Sequence, residues 1–193
     1  MHENRWKNSE LSEYLIELSQ VQFNPSDFLK LTEQYEFKQY INAYGYPTPQ
    51  ELCYEKELLE ESIVQHYLNI FKDFDLRQSD VNSKLSSYPE KTELKGWLVK
   101  SDMSEKELQV HTDMNRPAAM IFPLTFPQSL NLHESEKSGI SYVYEYSPTI
   151  IMLNSGSKWH SVSQESNTRY QFQFDCYNSW EEIKELAENL SLV

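Results

Sequence analysis

Glycine and cysteine are both scarce, with 4 Gly and 2 Cys in 193 residues. So few glycines leave little from which to build the glycine-rich loops that cradle nucleotide phosphates. Cys53 and Cys176 form no Cys-x-x-Cys pair, which leaves no cysteine-built zinc site and, at most, one disulfide as the alternative to two free thiols. They read as reduced core thiols. No apolar run approaches the ~18 residues of a membrane span, and the start, MHENRWKNSELSEY, has no apolar signal segment. A cytoplasmic protein with no membrane partner is the expectation. Runs of Lys or Arg are also missing, and the formal net charge is −13. Such a chain repels phosphate backbones, so neutral or cationic substrates are expected rather than nucleic acid.

Aromatic residues, by contrast, are plentiful: 13 Tyr and 9 Phe, within 39% apolar residues overall. That composition and this length suffice for a single domain with a sizeable core. The pattern changes character near residue 90. Residues 1–92 read as a mainly helical flanking part. Leu11, Leu15 and Leu18 predict a helix over 9–22. Asn24 followed by Pro25 predicts a capped helix start, continuing through Phe28, Leu31, Tyr35 and Ile41 to a stop at Gly45. Thr48-Pro49-Gln50-Glu51 matches a capping box, with an apolar stripe from Leu52 to Phe74 behind it. His66 beside that stripe reads as a structural residue. The polar stretch 75–92 reads as a loop.

Residues 93–178 read as β-rich. Strands are predicted at 94–99, 106–112, 117–125, 140–146, 149–154, 158–163 and 168–177. Short strands at this rhythm suggest a sandwich or closed barrel. Ser179 and Glu182 form another capping box, opening a C-terminal helix over 179–193.

One constellation carries chemistry. Residues two apart in a strand share a face, so His111 and Asp113 can aim at one point. His160, in Lys158-Trp159-His160-Ser161-Val162, can supply a third ligand. Two histidines and a carboxylate leave three octahedral positions open on a metal such as iron(II). Nine residues on, Arg169 opens an alternating run that ends at Asp175. Arg169, Gln171, Gln173 and Asp175 share one face; Tyr170, Phe172, Phe174 and Cys176 share the other. A polar inner face suits a ligand cavity, where a guanidinium pairs with a carboxylate. The aromatic face is expected to pack outward against N-terminal helices.

His111-x-Asp113, then His160 after 46 intervening residues, then Arg169, resembles the iron(II)/2-oxoglutarate-dependent dioxygenases, and among them the prolyl-hydroxylase-like enzymes. The segment Pro148-Thr-Ile-Ile-Met-Leu-Asn-Ser-Gly-Ser-Lys-Trp-His160 is similar to that family's apolar strand, tight turn and distal histidine. The resemblance covers roughly residues 94–177. It implies a double-stranded β-helix (a jelly-roll, cupin-like core) flanked by helices. It also implies that His111, Asp113 and His160 hold Fe(II), and that Arg169 binds the far carboxylate of 2-oxoglutarate, with Gln171 beside it. The implied reaction consumes dioxygen, releases succinate and CO2, and hydroxylates a peptide, protein side chain or amino-acid-like substrate. The chain departs from the family where a small residue often lies two positions after the Arg, since Gln171 is there. Trp97 and Lys100 lie on the strand where an assisting residue is sought. The alternatives are a cupin-like metal-binding protein without turnover and an oxygenase of small molecules or nucleobases.

Further candidates are weaker. Arg116 is placed to reach a substrate carboxylate or to form a loop salt bridge. Tyr144 contacts substrate or, with Tyr142 and Tyr146, packs a sheet face. Asn154 reads as turn chemistry. His133 reads as a solvated loop residue, within a polar segment from Asn131 to Ser138 that serves as a candidate substrate lid.

Overall fold

Within the first 76 residues, strands intrude where helices are predicted. In this computed structural model the described residues are 8–41, 45–76, 96–104, 107–113, 116–163 and 167–193. The flanking part holds α1 (Asn8–Leu11), β1 (Leu15–Glu17), α2 (Pro25–Leu29), β2 (Lys38–Ile41), β3 (Pro47–Cys53) and α3 (Ser62–Ile70). The predicted helix over 9–22 stops at Leu11, because Leu15-Ile16-Glu17 pairs with Leu153, Met152 and Ile151 instead. As a strand this segment buries Leu15 against one apolar cluster and sets Ile16 against another, a division no single helical stripe provides. Asn24 caps α2 as expected, accepting from the Ser26 N–H, with Pro25 in the first turn. The helix gives way to a 3-10 turn at Lys30–Glu33 and then to β2. Gly45, at φ 81°, lies between β2 and β3 rather than at a helix end.

The capping box at Thr48–Glu51 is a strand instead. Its backbone pairs with both β2 and the strand Gly96–Asp102, and that sheet context overrides the local signal. The long predicted helix shortens to α3, preceded by a 3-10 turn at Lys56–Glu60. Of the predicted loop 75–92, residues 77–92 lie outside the described residues, as do 94 and 95 of the next strand.

Eight strands then follow: β4 (Gly96–Asp102), β5 (Leu108–His111), β6 (Ala118–Pro123), β7 (Ser129–His133), β8 (Tyr142–Glu145), β9 (Ile151–Leu153), β10 (Trp159–Val162) and β11 (Thr168–Cys176). Every predicted strand has its counterpart, and β7 adds one that was not foreseen. The larger antiparallel sheet runs β1-β9-β6-β11-β4-β3-β2, and the smaller runs β5-β10-β7-β8. From β4 to β11 the chain crosses between the sheets at every step except β7 to β8, which makes a jelly-roll double-stranded β-helix. Ser179 and Glu182 cap α4 (Trp180–Asn189) reciprocally, as the sequence indicates.

Strand β11 divides the interior into two. Its aromatic face joins Phe122 of β6, Phe28 of α2 and Tyr67 of α3, with Phe28 and Phe172 ring centroids 4.9 Å apart. This outward cluster locks the helices to the large sheet. The other face looks between the sheets, beside Ile121, Ile151, Leu130 and Leu132. There β11 presents Arg169, Gln171, Gln173 and Asp175, all buried.

Candidate metal centre

The pairing of β5 with β10 sets His111 opposite His160, with ring centroids 4.3 Å apart. Asp113 lies just beyond the end of β5. Its backbone N–H donates to the Ser155 carbonyl at 2.8 Å, so a tertiary contact fixes it rather than strand alternation. One ligand atom each from His111, Asp113 and His160 lie within 4.8 Å of one another.

Both histidines are oriented by the same device. His111 Nδ1 lies 2.7 Å from the Gln109 carbonyl oxygen, and His160 Nδ1 lies 3.0 Å from that of Lys158. A carbonyl only accepts, so Nδ1 carries the proton and Nε2 presents its lone pair inward. Backbone tethering of this kind is how metal-ligating histidines are held.

The turn between β9 and β10 organises the site. Asn154 Oδ1 accepts from Ser157 Oγ at 2.6 Å, and Asn154 Nδ2 donates to the Glu13 carbonyl at 3.0 Å. Gly156 N–H donates to the Pro117 carbonyl at 2.9 Å. A side chain at Gly156 would collide with the Arg116 carbonyl oxygen and with Pro117. The turn therefore presses against 116–117 through Gly156 and holds Asp113 through Ser155.

Charge at the site is paired. Arg116 Nε donates to Asp113 Oδ2 at 2.9 Å, and a terminal guanidinium nitrogen donates to Asp175 Oδ1 at 2.7 Å. The guanidinium also lies 5.7 Å from the Trp97 ring centroid. Arg116 thus forms the salt bridge, its two carboxylate partners coming from this chain. Burial by itself would raise the Asp113 carboxyl. Arg116, His160 and His111, with the Ser155 hydroxyl, outweigh it and hold Asp113 well below the usual carboxylate range. That hydroxyl is buried, makes no well-formed hydrogen bond and faces the same carboxylate. Burial pushes His160 down to about 4 against the pull of Asp113. It is a neutral imidazole near neutral pH, as a metal ligand must be.

From Arg116 a chain of amides runs along the inner face of β11. Arg116 donates to Gln173 Oε1 at 3.3 Å, Gln173 Nε2 to Gln171 Oε1 at 2.8 Å, and Gln171 Nε2 to Gln128 Oε1 at 2.9 Å. Arg169 Nε also donates to Gln128 Oε1, at 3.3 Å, and its guanidinium lies 5.7 Å from the Tyr146 ring centroid. Gln128 Nε2 is anchored in turn by Thr125 Oγ1 and the Tyr170 carbonyl. Gln128 lies in the connection from β6 to β7, and no periodic signal in the sequence points to it.

The donor set fits a divalent metal: two oriented imidazoles, one ionised carboxylate and no thiolate. Arg169 offers the charge a distant carboxylate needs. The amide chain, however, occupies the stretch between Arg169 and the triad.

Other predicted residues fall elsewhere. Tyr144 is 5% exposed, packs edge-on to Tyr146 and donates its hydroxyl to Glu17 at 2.7 Å. His133 corrects the sequence reading. It is 3% exposed on β7, with Nε2 at 2.9 Å from Ser161 Oγ, because the segment Asn131 to Ser138 begins inside the small sheet rather than as a lid. Trp97 shares the inner face of β4 with its partner Gln173, whereas Lys100 turns to the opposite face and pairs with Glu51 at 2.6 Å. His66 is exposed on α3, against the Tyr67 ring. A cavity of about 710 Å³ opens beside Asp113 and Arg116, bordered by Glu13, Lys158, Tyr177 and Trp180.

No protein-family model and no curated protein matches the chain by sequence. Solved structures do match. A Trichoplax adhaerens prolyl hydroxylase, in complex with a hypoxia inducible factor oxygen degradation domain peptide fragment, aligns over 95% of this chain and 98% of its own. The TM-score is 0.56 and the identity 14%. A Pseudomonas putida prolyl-4-hydroxylase aligns over 88% and 96%, at TM-score 0.55 and 13% identity. An oxidoreductase of the 2OG-Fe(II) oxygenase family from Burkholderia pseudomallei aligns over 92% and 93%, at TM-score 0.50 and 11% identity. At such identities the likeness is one of fold, and the chain has a double-stranded β-helix fold like that of these neighbours.

Proposed function

We propose that the chain is an Fe(II)/2-oxoglutarate-dependent oxygenase that hydroxylates a peptide, a protein side chain or an amino-acid-like substrate. The observation that carries this reading is the convergence of His111, Asp113 and His160, with each Nδ1 tied to a carbonyl and each Nε2 turned to a common point. In the reaction, 2-oxoglutarate, dioxygen and a C–H bond become succinate, CO2 and a C–OH group. Bound iron(II) would supply the redox chemistry that couples these two oxidations.

The residues of the chain have distinct tasks. His111, Asp113 and His160 would hold the metal, and three protein ligands would leave room on it for small molecules. Arg116 keeps Asp113 ionised and directs Oδ2 away, so that Oδ1 is the donor. Arg169 pairs with the far carboxylate of the cosubstrate, which must pass Gln171 on the same face of β11. The cavity beside Asp113 and Arg116 is the approach for substrate. Among described residues no helix is long and apolar enough to cross a membrane, and the net charge of −13 favours neutral or cationic substrates. The peptide bound to the Trichoplax neighbour supports a peptide substrate in particular.

One observation favours a second reading, a metal-binding protein without turnover: the amide chain already fills the stretch between Arg169 and the triad. Anaerobic addition of iron(II) and then 2-oxoglutarate separates the two. The oxygenase reading expects a visible charge-transfer band and a raised thermal midpoint, both lost in His160→Ala. If metal binds but 2-oxoglutarate produces no band and no further stabilisation, the oxygenase reading fails. Succinate release stimulated by peptides, proteins or free amino acids would then identify the substrate class.

A further inference from the structure

Any diacid that reaches from the metal triad to Arg169 must lie along the inner face of β11. The residues between Arg169 and Asp175 on that face are Gln171 and Gln173. Both are buried, at 8% and 7% exposure, and Gln128, which joins them to Arg169, is at 3%. Each amide is used at both ends. Gln173 accepts from Arg116 and donates to Gln171; Gln171 accepts from Gln173 and donates to Gln128. The amides all point the same way along the chain, so their dipoles add and each bond strengthens its neighbours. This is a closed polar unit in a space that holds protein rather than solvent.

We propose that Gln171 and Gln173 are the residues that set cosubstrate selectivity. They fill the path to Arg169, so a five-carbon 2-oxo diacid binds only by parting the Gln171–Gln173 contact, whereas a short 2-oxo acid that stops at the metal leaves it whole. This rests on the oxygenase reading. Its physical basis is simple: the diacid gains the Arg169 ion pair but must break at least one buried amide bond and move two side chains. The short acid gains neither and loses neither. The wild-type chain therefore discriminates weakly between the two, and its affinity for 2-oxoglutarate is held down by its own side chains.

The test compares Gln171→Ala and Gln173→Ala with the wild type, each saturated with Co(II). Binding of 2-oxoglutarate and of pyruvate is titrated by absorption and by thermal midpoint. Losing one neutral hydrogen bond from the opening step corresponds to about a fivefold change in affinity. The expected result is that each variant binds 2-oxoglutarate at least about fivefold tighter, while pyruvate affinity stays within about twofold. Unchanged 2-oxoglutarate affinity overturns the proposal, since the amides are then outside its path. Weakened affinity also overturns it, because the amides then recognise the diacid directly. Equal tightening of both acids overturns it as well, as a general loosening of the site. In these three outcomes 2-oxoglutarate still binds, and the oxygenase reading stands. If none of the three proteins binds 2-oxoglutarate, that reading falls and the proposal falls with it.

Discussion

Replacing Arg116 with Met tests the electrostatic design of the site. The guanidinium bridges Asp113 at 2.9 Å and Asp175 at 2.7 Å. The three side chains are 17%, 18% and 6% exposed. Methionine keeps much of the volume, so what is lost is charge and hydrogen bonding. Removing one partner of a buried ion pair costs about 3–5 kcal/mol, because the remaining charge stays desolvated. Here two carboxylates lose their guanidinium partner, with Asp175 the more deeply buried. The loss belongs at the upper part of that range and is a large share of the ~5–15 kcal/mol that holds a typical domain together. At a urea slope of about 2 kcal/mol per molar, the midpoint should fall by roughly 2 M. A bound divalent cation changes the balance. It neutralises Asp113 and leaves the lost ion pair at Asp175 as the remaining cost, so the destabilisation should shrink by about 1 kcal/mol or more when the melts are repeated in saturating Co(II). Adding Asp175→Asn to the Met variant should recover part of the remainder. A loss under about 1 kcal/mol, or the same loss with and without metal, would show that Arg116 is not the counter-charge of the ligand carboxylate.

Three other outcomes follow from the same geometry. Gly156→Ala has no room against Arg116 and Pro117, so the turn must shift. We expect a loss of about 2–3 kcal/mol and at least tenfold weaker Co(II) binding, read by denaturation and by metal titration. The metal-free protein should weaken in acid. Burial pushes folded His160 down to about 4 from its ordinary 6.5, so the unfolded chain takes up a proton that the folded chain refuses. Stability therefore falls as pH drops from about 6.5 to about 4, by about 3 kcal/mol from this group, and the lowered Asp113 continues the trend below its ordinary value; a flat profile of urea midpoints contradicts this. Finally, burial pushes the Cys176 thiol up to about 12, and Cys53 is raised by burial too. Neither should react with a thiol reagent near neutral pH until denaturant is added, and rapid modification of the native protein would refute their placement.

What the sequence reveals depends on whether a residue's role is local. β11 was legible because alternation is a local property, and the face assignments of Arg169, Phe172 and Phe174 followed from it. The cap of α4 was legible because Ser179 and Glu182 lie three residues apart. The flanking part was not legible. β1 and β3 take their form from partners about 140 and 50 residues away, Leu153 and Val99 among them, and local helix signals cannot register such pairing. The triad was visible as residue types and spacing. The reason Asp113 reaches its place was not, since that depends on the Ser155 carbonyl and on Gly156 allowing two segments to touch. Gln128 was invisible for the same reason: it lies outside every strand and acts through groups brought to it by folding. His133 misled because the polar residues after it mark a real turn, while it belongs to the strand before.

The two faces of β11 explain how so polar an interior is tolerated. On one face Phe172 and Phe174 sit at 0% exposure among Phe28, Phe71 and Phe122, each such burial stabilising by roughly 1.5–3 kcal/mol. That face fixes the strand without help from the other. The inner face is then released from packing duty and can hold two arginines, an aspartate and three glutamines, each satisfied by a partner in the same network. Such a network stabilises little overall, but it is intolerant of a single missing member. Substitutions should therefore separate by face. Trimming the aromatic side lowers stability and leaves metal affinity nearly constant in whatever protein remains folded. Trimming the polar side changes metal or cosubstrate affinity by more than its effect on stability implies. A set of variants along β11 in which both properties fall in fixed proportion would show instead that the strand works as one packed unit.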